Sequence, residues 1–148
     1  GDSLNAITTG NGLSARILRE GEETFARIDA VRGPFDGMQS AGAFFALSPG
    51  ELDAIQGRRV RLRFTVRSAP EFGAPGIRLN FFVPGFGQDS GEHVEISERF
   101  ETFTLEAASP ECSWEFGYIG MWPDWDFEHN TVDLERVELT ALDRLPDC

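Results

Sequence analysis

The chain has 148 residues and a mass of 16.4 kDa, which is room for one hydrophobic core and hardly for two. Its formal net charge of −12 argues against nucleic acid or an anionic membrane surface as a partner. No apolar run approaches the roughly 20 residues of a spanning helix, and 11% aromatic residues is too rich in rings for a disordered chain.

Residues Ala15–Arg19 and Phe25–Ala30 read as short strands, with Gly21, Glu22 and Glu23 as the turn between them. Arg32–Gln39, built around Gly-Pro-Phe-Asp-Gly, is a loop, and Ala41–Leu47 is an apolar strand. Ser48-Pro49-Gly50-Glu51 has the form of a capping box, with Ser48 as N-cap, Pro49 at N1 and Glu51 at N3. Leu52 and Ile55 give this helix of one to two turns its apolar side, and Gly57 ends it.

The next stretch has a period of two. Val60, Leu62, Phe64 and Val66 share one face, and Arg61, Arg63, Thr65 and Arg67 the other. Gly76–Val83 repeats the pattern, with Ile77, Leu79, Phe81 and Val83 opposite Arg78, Asn80 and Phe82. A glycine-rich loop follows over Pro84–Gly91. Strands are expected over His93–Ser97, Phe100–Leu105 and Ser113–Met121, then an acidic, aromatic loop over Pro123–Asn130. Thr131–Leu142 is the last strand. Val132 and Leu134 are out of phase with Val137, Leu139 and Ala141, so a β-bulge is expected near Glu135 and Arg136.

About nine strands with one short helix and no strand–helix alternation predict an all-β fold. The expected form is an antiparallel β-sandwich or jelly roll, one domain over residues 1–148. Cys112 and Cys148 either pair or remain thiols, or Cys148 links to another chain. With two cysteines and two histidines, no structural zinc site is expected.

Three segments resemble the galactose-binding-domain-like jelly rolls, a superfamily that includes carbohydrate-binding modules. The first is Ala-Phe-Phe-Ala-Leu-Ser-Pro followed by Gly-Arg-Arg-Val-Arg-Leu-Arg-Phe-Thr-Val-Arg-Ser. The second is Phe-Glu-Thr-Phe-Thr-Leu-Glu over Phe100–Glu106, and the third is Asn-Thr-Val-Asp-Leu-Glu-Arg-Val-Glu-Leu over Asn130–Leu139. The resemblance covers roughly residues 41–140 and is a pattern of strands. It implies a non-catalytic polysaccharide-binding module of a secreted, periplasmic or cell-surface protein, part of a larger polypeptide or assembly. Asp133 stands alone where many members carry two adjacent acids, so no structural calcium is expected.

Three groups of residues suit a glycan ligand. Arg61, Arg63 and Arg67 with Arg78, Asn80 and Phe82 would form one patch of forked donors, an amide and a ring, provided both strands lie in one sheet. The plainer reading is a solvated face whose arginines pair with Glu95, Glu115 or Glu138. Trp122 and Trp125, beside Asp124 and Asp126, suit ring stacking and hydroxyl recognition, or fold over the end of the sandwich. Phe86 is a groove wall or a loop plug. Asp124, Asp126 and Glu128 alternate, but the glycine and distal glutamate of a calcium loop are missing.

No nucleophile elbow, zincin motif or phosphate loop is present; His93 beside Glu92 or Glu95 could serve as a base, but strand neighbours point to opposite faces, and no carboxylate pair is singled out by spacing. No catalysis, cofactor or metal is expected. The alternative to glycan binding is an assembly sandwich whose arginine face and tryptophan loop contact protein.

Overall fold

The structure is a computed structural model and describes residues 4–9, 13–30, 43–85, 92–124 and 128–148. The expected Arg32–Gln39 loop lies outside these residues, as do Phe86, Trp125 and Asp126. After a single 3-10 turn at Leu4–Ala6, ten strands and one helix follow in chain order. They are β1 (Thr8–Thr9), β2 (Leu13–Glu20), β3 (Glu23–Ala30), β4 (Ala43–Ala46), α1 (Pro49–Ile55), β5 (Arg58–Ser68), β6 (Gly76–Phe82), β7 (Glu92–Glu95), β8 (Glu101–Ala107), β9 (Tyr118–Pro123) and β10 (Thr131–Arg144).

The strands form two five-stranded antiparallel sheets, ordered β1-β4-β9-β6-β7 and β2-β3-β10-β5-β8. The fold is the expected all-β sandwich. Its core is the set of residues that the period-two pattern turns inward. Val60, Leu62, Phe64 and Val66 of β5 lie with Ala26, Ile28, Val132 and Leu134 on the inner face of the second sheet. Ile77, Leu79, Phe81, Ile119 and Met121 line the first, and all of these are buried. The β-bulge falls where the phase change demands it. Leu134 pairs with Val66 but Arg136 with Thr65, so Glu135 is the extra residue; Val137 and Leu139 then pack inward opposite Phe64 and Leu62, while Ala141, opposite Val60, is exposed.

Helix α1 starts with both halves of the capping box. The Glu51 N–H donates to Ser48 Oγ at 3.2 Å, and the Ser48 N–H donates to Glu51 Oε1 at 2.8 Å. That second bond holds the Glu51 carboxyl below its ordinary range. Leu52 and Ile55 are buried, and Gly57 leaves the helix at φ +75°. Cys112 and Cys148 are joined in a disulfide with Cα atoms 5.5 Å apart.

Two expectations are corrected. Ser113–Gly117 is irregular rather than the start of a strand. Trp114 turns inward, its backbone N–H bonded to Gln56 Oε1 and its indole N–H to the Glu111 carbonyl, and its ring stands edge-on to Phe81. The strand begins only at Tyr118 and runs through Pro123, so Trp122 belongs to β9 and not to the acidic loop. It is 7% exposed.

Candidate functional site

The two expected rows do not meet. Arg61, Arg63 and Arg67 stand on β5 in the second sheet, whereas Arg78, Asn80 and Phe82 stand on β6 in the first. Both rows point away from the core, and so they lie on opposite faces of the sandwich. A patch combining them would need β5 and β6 to pair. Their partners are instead β10 and β8 for β5, and β9 and β7 for β6.

The outer face of the second sheet is organised by ion pairs. Asp133 is fully buried there and accepts from Arg27 Nε at 2.8 Å and Arg67 Nε at 2.9 Å, each from an adjacent strand. The carboxylate raises the Arg27 guanidinium above its ordinary value. Phe25 and Phe100 lie against the Arg67 guanidinium, 5.0 and 4.4 Å from ring centroid to Cζ. Further along, Arg61 meets Glu106 of β8 at 2.9 Å, and the Thr65 and Thr102 hydroxyls bond to each other. Cross-strand pairing is thus the rule on this face, although the partners are Glu106 and Asp133 rather than the expected Glu95, Glu115 or Glu138. Arg63 is exposed opposite Glu138 and Thr104.

The outer face of the first sheet has a different chemistry. Strand register sets three rows across it: Ala46–Tyr118–Phe82, then Thr8–Phe44–Gly120–Asn80, then Trp122–Arg78–His93. Tyr118 stands edge-on to Phe44 with centroids 5.5 Å apart, and Phe116 lies 5.9 Å from Tyr118. Tyr118, Phe44 and Phe82 are half-buried, and Phe116 is exposed. In the middle row Gly120 contributes no side chain between Phe44 and Asn80. Asn80 is only 3% exposed although it points away from the core, and its Oδ1 accepts no hydrogen bond. A buried acceptor left without a donor costs roughly 1–3 kcal/mol.

In the last row the His93 Nε2 lies 2.8 and 3.0 Å from the two carboxylate oxygens of Asp124. The pair crosses β6 above Gly76, where a Cβ would come within 2.7 Å of both partners. A side chain at this position would have to displace the His93–Asp124 pair. Asp124 is tied to β6 a second time, its N–H donating to the Gly76 carbonyl at 3.0 Å.

Of the expected site residues, one face brings together Trp122, Asp124, Arg78, Asn80 and Phe82, while Arg61 and Arg63 lie on the other. Phe44, Phe116, Tyr118 and His93 join the group without having been singled out as its members. Tyr118 is the chain's one tyrosine, and a lone phenolic ring amid thirteen phenylalanines was the available signal. Among the described residues no cluster of histidine, cysteine and carboxylate side chains is arranged to hold a metal.

No protein-family model and no curated protein matches the chain. Solved structures do. The chain aligns over 95% of its length with 88% of the CBM22-1 xylan-binding domain of Xyn10C from Paenibacillus barcinonensis, at a TM-score of 0.59 and 10% identity. It aligns over 99% of its length with the tandem CBM22-1–CBM22-2 domain of the same protein (TM-score 0.62, 9% identity), of which it spans 43%. The CBM22-1–GH10 modules of a Clostridium thermocellum endo-1,4-beta-D-xylanase, complexed with xylohexaose, give a TM-score of 0.63 at 9% identity, and the chain spans 26% of that structure. The fold is that of carbohydrate-binding modules of the jelly-roll type.

Proposed function

We propose that the chain is a non-catalytic polysaccharide-binding module and that it binds through the outer face of the first sheet. The observation that carries this reading is Asn80. It is a buried side-chain acceptor without a donor, on a surface row flanked by aromatic rows. A sugar supplies what the face lacks. The C–H face of a pyranose packs on Tyr118 and Phe82, Arg78 and Asp124 offer a donor and an acceptor to hydroxyls, and a hydroxyl reaches Asn80 Oδ1 once the side chains that cover it give way. Trp122, buried beneath this surface, serves as floor and reporter. The net charge of −12 repels polyanions, so neutral polysaccharides are the favoured class. The relatives named above as xylan-binding or xylohexaose-bound make xylans the first to test.

The module would act outside the cell, where a disulfide persists, and would hold a larger polypeptide on its substrate. Tryptophan fluorescence titration with neutral, acidic and sulfated polysaccharides tests the reading. The expected result is saturable binding of a neutral polymer that changes little between low and high salt. Tyr118→Ala and Asn80→Ala should each weaken it about tenfold or more, equivalent to about 1.4 kcal/mol or more. Binding confined to acidic polymers and lost at high salt would move the site to the arginines of the second sheet. A chain that binds no polysaccharide and oligomerises through this face would be an assembly protein.

A further inference from the structure

The connection between β5 and β6 holds one residue whose conformation its own chemistry disfavours. Phe72 has φ +59°, the one positive value at a non-glycine position among the described residues. A bulky L-residue meets steric resistance there that glycine or asparagine escapes. Its ring is also 62% exposed, the most open large apolar side chain among the described residues. Neither backbone preference nor burial explains a phenylalanine at this position.

The surrounding turn holds it in place. The Phe72 carbonyl accepts from the Asn130 N–H at 2.8 Å and the Thr131 N–H at 2.9 Å. The Thr131 carbonyl in turn accepts from Ala69 and Ala74 at 3.2 and 2.9 Å. Pro70 and Pro75 stiffen the two ends. No side chain fits at Gly73, where a Cβ would strike Ser68 Oγ and the Ala69 carbonyl. The ring is therefore mounted on a backbone with little freedom left to lose on binding.

We propose that Phe72 is a second contact for polysaccharide, a stacking platform for one pyranose ring at the end of the sandwich where β6 and β10 begin. This rests on the reading that the ligand is a polysaccharide, but not on the site across the first sheet. A protein partner would need a contiguous apolar patch. Ile17 and Phe116, the other exposed large apolar residues described, lie on strand β2 and just before β9 rather than in this turn. A membrane surface is opposed by the net charge of −12. Among the described residues Phe72 is the one exposed large apolar side chain in this turn, and a single ring matches the size of a sugar's C–H face. Two contacts on one module also raise its hold on a polymer well above its affinity for a short oligosaccharide.

Phe72→Asn tests this, because asparagine accepts the left-handed backbone while removing the ring. The expected variant melts at or above the wild-type temperature and binds short oligosaccharides unchanged. Its affinity for the long polymer falls about tenfold, and Phe72→Trp retains that affinity. Wild-type polymer binding by Phe72→Asn overturns the proposal, and so does a fall in melting temperature or a failure to fold, since either marks the ring as a structural plug. Tyr118→Ala separates the two sites. Loss in Tyr118→Ala alone leaves the first-sheet site and removes Phe72, loss in Phe72→Asn alone does the reverse, and a wild-type chain that binds no polysaccharide removes both.

Discussion

Asp133 illustrates how much one side chain can organise. It has no exposed surface, and it sits on the outer side of its sheet, where a carboxylate would ordinarily be solvated. Its burial is made tolerable by two guanidinium groups from the strands on either side, and these are in turn covered by Phe25 and Phe100. Replacing the acid leaves two cations sharing a largely desolvated pocket. Asp133→Asn should therefore cost about 3–5 kcal/mol of stability, read as the shift in a urea midpoint at constant slope. The sequence displayed Asp133 within an alternating strand but gave no sign that it was buried. Its partners are 106 and 66 residues away, and only sheet pairing brings them together.

Elements were legible where their causes are local. The capping box of α1, the alternation in β5 and β6 and the bulge at Glu135 each follow from residues within a few positions of one another, and each is present. The helix offers a direct check. The Glu51 carboxyl lies below its ordinary range in the folded chain, so the stability it adds is complete above that range and is lost as pH falls through the lowered value. Glu51→Ala should cost about 1 kcal/mol near neutrality. In acid the gap to wild type should narrow, which melting curves at several pH values will measure. Strand β9 was misread for a comparable reason: the acidic run after Pro123 has the polarity of a loop and draws the tryptophan before it into the same reading. The long-range facts, which sheet holds β5 and which holds β6, leave no local trace. That is why the two polar rows could not be placed on opposite faces from the sequence.

At the scale of the molecule, the two outer faces divide the work. One is stapled by ion pairs; the other gathers rings, an amide, a histidine–aspartate pair and a buried acceptor. Half of the candidate site was visible as residue types on alternating strands. The remainder, Phe44 and Tyr118 above all, joins it through pairing between β4, β9 and β6. The disulfide adds a property that neither face has. It joins residues 36 positions apart into a covalent ring that contains both β9 and β10. While the bond holds, tension applied at Cys148 therefore cannot draw out the segment between it and Cys112. A module gripping a polymer while its chain is pulled would keep Tyr118, Trp122 and the start of β10 from being extended. Single-molecule stretching should show an unfolding length about 120 Å shorter with the bond intact than after reduction. Equal lengths in the two states would mean that the bond does not close this segment.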